Sequence, residues 1–176
     1  MKRLWVMLIG FVATLAFARD PLAIEARTYR VVQVQQDGKT VERLEEALGV
    51  KPGEVLEFWY ELSNTTIDPL RGVAVTVDLV KIGGLRPDGS RVLAYLPATA
   101  SVLKLGEFTL TPEFSYDGGR TYGKAPLFRK VKQLEGGKEI EKEVEVRPEE
   151  YTHIRWVIPQ LGPNSKVLLK LRVVVR

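Results

Sequence analysis

Four stretches of this chain alternate apolar and polar residues with a period of two, and that pattern decides most of what it can become. In Val55–Leu62 the residues Leu56, Phe58, Tyr60 and Leu62 share one face, and Glu57, Trp59 and Glu61 share the other. Gly72–Val80 repeats the pattern, with Val73, Val75, Val77 and Leu79 facing inward. Thr152–Ile158 sets Thr152, Ile154, Trp156 and Ile158 against His153, Arg155 and Val157. Lys166–Val175 places Val167, Leu169, Leu171, Val173 and Val175 inward, with Lys170 and Arg172 outward. Strands wet on one side belong to antiparallel sheets, because strands of parallel sheets are covered on both faces and read as continuous apolar runs.

Turn chemistry punctuates these runs: Lys51-Pro52-Gly53-Glu54, Gly83-Gly84, Pro87-Asp88-Gly89, Asp117-Gly118-Gly119, Gly136-Gly137 and Gly162-Pro163-Asn164. Tyr29–Gln35 reads as a further strand, closed by the hairpin signal Asp37-Gly38. Residues 40–48 carry two signals: Val41, Leu44, Ala47 and Leu48 recur at helical spacing, yet a hairpin needs a return strand there. An extended return is the reading adopted. Glu139–Arg147 alternates Ile140, Val144 and Val146 with Glu139, Glu141, Glu143 and Glu145, and pairs with Leu127–Leu134 across Gly136-Gly137. The expected fold is all-β, an immunoglobulin-like antiparallel β-sandwich of seven to nine strands in one domain.

Residues 1–18 are expected to be an address and not part of that fold. Met1-Lys2-Arg3 is a basic start, Leu4 to Phe17 is uncharged and apolar, and Ala16-Phe17-Ala18 fits a cleavage site. The apolar run is short of the roughly 20 residues that a spanning helix needs, so the reading is a cleaved signal peptide and no stable membrane span afterwards. The expected location is the periplasm, the cell surface or the medium. Residues 19–176 would form the single domain, with 19–49 as an N-terminal hairpin and 50–175 as its core.

Cleavage changes the charge. The whole chain has 26 basic and 22 acidic residues; Lys2 and Arg3 leave with the peptide, so 24 − 22 gives +2. Acids and bases are interleaved with no basic stripe, so nucleic acid is not an expected partner. No Cys is present, which removes disulfides, thiolate metal sites and a Cys nucleophile. The expected mature part also lacks Met and holds two Asn and five Gln. Such depletion of thermolabile residues suggests a heat-adapted source.

The order of motifs resembles a known family. Val50-Lys51-Pro52-Gly53-Glu54-Val55-Leu56-Glu57-Phe58, then Leu62-Ser63-Asn64-Thr65-Thr66, then the valine strand at 73–77 is similar to the group called domain of unknown function eleven. Tyr151-Thr152-His153-Ile154-Arg155-Trp156, followed by Leu161-Gly162-Pro163-Asn164-Ser165 and an alternating last strand, resembles that family's close. The resemblance spans roughly 50–175 and implies an immunoglobulin-like repeat domain of prokaryotic surface proteins. Two turns depart from its pattern, since Asn-Thr-Thr stands for Asn-Thr-Gly and Pro163-Asn164 for Pro-Gly. Asn reaches the left-handed conformation that Gly would supply, so the second change is mild. The family carries no catalytic residues to transfer.

Other constellations read as structural. Ser115-Tyr116-Asp117-Gly118-Gly119-Arg120-Thr121-Tyr122 matches the Asp-box of sialidase-type propeller blades, but a propeller repeats its blades and one copy is found here. It is taken as a self-bonded turn. His153 is the one histidine and falls on a strand's wet face with Tyr151 and Arg155, with no acid or nucleophile that spacing can bring to it. The four glutamates lie along a line, which suits a solvated strand face better than an ion. Asn64-Thr65-Thr66 is formally a glycosylation sequon. Trp59, an indole among glutamates, is the residue singled out for binding. No catalytic, cofactor or metal residues are assigned, and the candidate partner surface is Trp59, Tyr151, His153 and Arg155. The expected function is non-enzymatic, a cell-envelope or surface module with a structural or protein-interaction role. The alternative is carbohydrate binding through the same aromatics, so the expected partner is an envelope protein or a polysaccharide.

Overall fold

The structure, a computed structural model, describes residues 20–136 and 138–176. The expected signal peptide, residues 1–18, and Gly137 of the expected Gly-Gly turn lie outside the described residues. The chain runs through β1 (Leu22–Gln36), β2 (Lys39–Glu46), β3 (Val55–Asn64) and β4 (Leu70–Asp78) into a short helix, α1 (Leu79–Gly83). Four brief strands follow: β5 (Leu93–Tyr95), β6 (Leu103–Leu105), β7 (Phe108–Leu110) and β8 (Glu113–Ser115). A long hairpin of β9 (Leu127–Glu135) and β10 (Lys138–Val146) then passes through a 3-10 turn at Pro148–Glu150 to β11 (His153–Leu161) and β12 (Lys166–Val175).

These strands form an all-β sandwich with antiparallel pairing. One sheet has the order β2-β1-β3-β12-β5 and the other β4-β11-β8, so the facing sheets hold 5 + 3 = 8 strands, and the described residues form twelve strands in all against the seven to nine expected. β6–β7 and β9–β10 stand as separate two-stranded hairpins.

Alternation builds the core as read. Val167, Leu169, Leu171, Val173 and Val175 of β12 are buried, as are Leu56, Phe58 and Leu62 beside them on β3. From the opposite sheet Val75 and Val77 of β4 and Ile154, Trp156 and Ile158 of β11 meet them in one cluster. Each fully buried aliphatic side chain contributes about 1.5–3 kcal/mol relative to exposure. The Trp156 indole N–H donates to the Ser101 carbonyl at 2.9 Å, so the largest core side chain leaves no buried donor unpaired.

Residues 40–48 resolve in favour of a strand. β2 pairs with β1 from Tyr29↔Glu46 to Gln36↔Lys39, and Asp37 and Gly38 both take positive φ, 50° and 75°, as a two-residue hairpin turn requires. Three expectations need correction. β4 stops at Asp78 rather than Val80, because the Asp78 carboxylate accepts from the Val80 and Lys81 amides, 2.9 Å each, and starts α1. Leu79 is still fully buried, from the helix. Glu57 was expected on a wet face but is buried, covered by Arg172, whose Nε donates to it at 2.6 Å, and by the Trp59 indole.

The third correction is Tyr151, expected on the solvent face with His153. It is 1% exposed. The 3-10 turn breaks the alternation just before β11 starts, and the ring turns inward against Tyr95 and Phe114, with centroids 6.1 and 5.0 Å away.

Candidate functional site

The unequal sheets leave an open, largely apolar groove. β4 is an edge strand, paired with β11 on one side and, among the described residues, with no strand on the other. Beyond that edge the wider sheet continues, so part of the inner face of β1 has no strand above it. The result is a groove of about 630 Å³. Ile24 of β1 and Tyr60 of β3 form its floor, Val75 and Val77 of β4 one wall, and Ile82 of α1 its end. Ile24 and Ile82 are 53% and 46% exposed, so apolar surface beside the core is left uncovered. Burial pushes the Tyr60 phenol above its ordinary pKa.

The polar rim of the groove is Asp78, Lys81 and His153. His153 lies directly across the ladder from Asp78, with Nε2 3.5 Å from its carboxylate. Its Nδ1 is 3.0 Å from the Thr152 hydroxyl. That hydroxyl in turn donates to the Ser115 carbonyl and accepts from the Gly118 amide, so it is committed to the turn beneath. The imidazole is therefore held in place on the rim, and the nearest hydroxyl is not presented to the groove.

Trp59 lies on the outer face of the five-stranded sheet. Its cross-strand neighbours are Arg27 and Lys170, and the Lys170 ammonium sits 3.9 Å over the indole. Tyr29 meets it edge-on at a centroid distance of 4.9 Å, and its N–H donates to Glu57. The ring is half-buried by its own sheet, and the recess beside it, between Glu25, Arg27, Glu61 and Leu168, measures about 60 Å³.

Arg155 belongs to the opposite sheet. Its guanidinium donates to Glu113 at 2.6 Å and stacks 3.9 Å over the Tyr122 ring, pinning the turn at 115–122 to β11. Within that turn Ser115 is fully buried and donates to Asp117 at 2.7 Å, while the Asp117 carboxylate accepts from the Arg120 and Thr121 amides and the Thr121 hydroxyl. The four candidate residues therefore do not share a surface. Trp59 faces out from one sheet, Arg155 from the other, Tyr151 is in the core, and His153 edges the groove. Ile24, Tyr60 and Ile82 complete the groove and were not singled out from sequence as binding residues; Ile24 ends the short apolar run Leu22-Ala23-Ile24, which nothing local marks as exposed.

Comparison with family models, curated proteins and solved structures found no match. Among the described residues no helix is long and apolar enough to cross a membrane.

Proposed function

We propose that this chain is a non-enzymatic, exported module of the cell envelope or surface, with a structural or protein-binding role. Its contact site is the open edge of β4. The observation that carries this reading is the groove itself: an unpaired strand edge running beside exposed apolar side chains. Adding an extended segment of a partner there would satisfy free backbone groups of β4 and bury Ile24 and Ile82 at once, the arrangement used in β-strand addition. The leader-like residues 1–18 and the resemblance to surface-protein repeats support the location.

The carbohydrate reading draws less support, because sugar stacking needs an open ring face and Lys170 covers one face of Trp59. The test uses envelope extract from the source organism. Wild-type chain should be retained by it, and hydrogen exchange of the β4 amides should slow in the bound state. A double variant, Ile24→Glu with Ile82→Glu, should lose retention while keeping its melting temperature. Unchanged exchange along β4 in the bound protein would rule out this edge as the contact.

A further inference from the structure

We propose that the chain has a second binding site, for an oxyanion, at the end of the sandwich where β12 finishes beside the loop leading to β5. A cavity of about 400 Å³ opens there, and four arginines line it: Arg86, Arg91, Arg147 and Arg176. The acidic side chains lining it are Glu149 and Glu150, so the formal balance of the lining side chains is 4 − 2 = +2. Glu150 is already engaged, accepting from Arg129 at 2.6 Å and from Arg147 at 3.3 Å. Asp88, near Arg86, spends an oxygen on the Ser90 amide at 2.8 Å and holds the loop's turn. Among the described residues Arg86, Arg91 and Arg176 form no ion pair with any carboxylate.

Arg91 is positioned before any ligand arrives. Its guanidinium donates to the Tyr151 carbonyl at 2.7 Å and to the Glu149 carbonyl at 2.8 Å, which leaves its other N–H groups uncommitted. Arg176 is placed beside it by a backbone bond from its amide to the Val92 carbonyl, 2.8 Å. Arg86 is placed by the turn that its amide closes on the Ser90 carbonyl, also 2.8 Å. Partial burial, and then the like charge of Arg176, holds the Arg91 pKa below its ordinary value. Arg86 and Arg91 are partly buried, while Arg147 and Arg176 reach the site from exposed positions, and gathering like charges beside partly buried ones costs free energy that a bound anion would return. Guanidinium forks match both carboxylate and phosphate oxygens in two-point contacts. The cavity has room for more than a bare phosphate ion, so it would accommodate a phosphoryl or carboxylate group carried on a larger body such as a sugar.

The experiment is calorimetric titration of the purified chain at low ionic strength with inorganic phosphate, glucuronate and glucose as probes. Saturable binding of phosphate, of glucuronate or of both supports the site and identifies the group it takes; glucose should not bind, and added salt should weaken the anions. The double variant Arg86→Gln with Arg176→Gln leaves the carbonyl bonds of Arg91 intact and should weaken binding at least tenfold with an unchanged melting temperature. Arg91→Lys, which keeps the charge and loses the fork, should weaken it as well. Absence of binding by both anions, or binding unaltered in the double variant, overturns the proposal. The outcome is independent of contact at the β4 edge, which lies elsewhere on the molecule.

Discussion

Single side chains carry much of the loop structure, and two of them give direct tests. Asn64 is buried, and its Nδ2 donates to the carbonyls of Asp68, Gly162 and Leu161 at 2.8, 2.9 and 3.2 Å while its Oδ1 accepts from the Thr66 amide and hydroxyl. This amide ties the end of β3 to the turn after β11. Asn64→Ala should cost about 3 kcal/mol, because several buried polar groups lose their partner together; urea unfolding should show a lower midpoint with an unchanged slope. The same bonds engage the nitrogen of the formal sequon. Asp117 offers a pH test. Hydrogen bonds from the Thr121 hydroxyl, the Thr121 amide and the Ser115 hydroxyl hold its carboxyl well below the usual carboxylate range. A depressed folded pKa contributes stability that is full above the unfolded value, about 4, and falls away as pH drops toward the folded one. Melting temperature measured from pH 5 downward should keep falling below pH 3, and Asp117→Asn should remove that part of the acid slope.

At the scale of elements, the β9–β10 hairpin differs from the rest. Its strands pair from Leu127↔Val146 to Glu135↔Lys138 and, among the described residues, join no other sheet. Phe128 and Leu134 are exposed on it, and Lys132 and Lys130 bridge Glu139 and Glu141 at 2.7 and 3.6 Å across its solvated face. An isolated two-stranded ribbon is marginal in water, and exposed ion pairs add little. Native-state hydrogen exchange should therefore be far faster for residues 128–145 than for β3, β11 and β12, whose opening approaches global unfolding; equal protection would mean that something covers the arm. The four-glutamate edge of β10 guards it against pairing with a second acidic strand. β4 lacks such a guard. Where it meets β11 the ladder skips Pro159 opposite Gly72, since Pro has no N–H to give and Gly72 takes a positive φ of 62°.

For the whole molecule, stability has to come from packing and charge, because the chain has no Cys. Reductant should leave its melting temperature unchanged. Around the core run linked ion pairs: Arg172 joins Glu57 and Glu42, and Arg30 joins Glu45 and Glu54. Networks of this kind gain value with temperature, as desolvating charge becomes less costly. A melting temperature above the mesophile span of about 45–65 °C is expected in calorimetry; a value inside that span would count against a heat-adapted source. The alternation in β3, β4, β11 and β12 made the sandwich and most of its core legible, because burial of one strand face is a local periodic signal. The strands β5 to β8 were not legible, since three residues hold too little pattern, and the pairing of β5 with β12 and of β8 with β11 comes from neighbours distant in sequence. Nor could periodicity reveal Tyr151 in the core, where a 3-10 turn resets the phase, or Glu57 under Arg172, which depends on a strand over a hundred residues away. Local pattern was enough to mark most of the residues that turn from water and most of the places where the chain reverses. Tertiary structure alone decided which strand would be left at an edge, which apolar residues would lie uncovered beside it, and which arginines from separate loops would meet, because these follow from how many strands each sheet recruits and not from any local pattern.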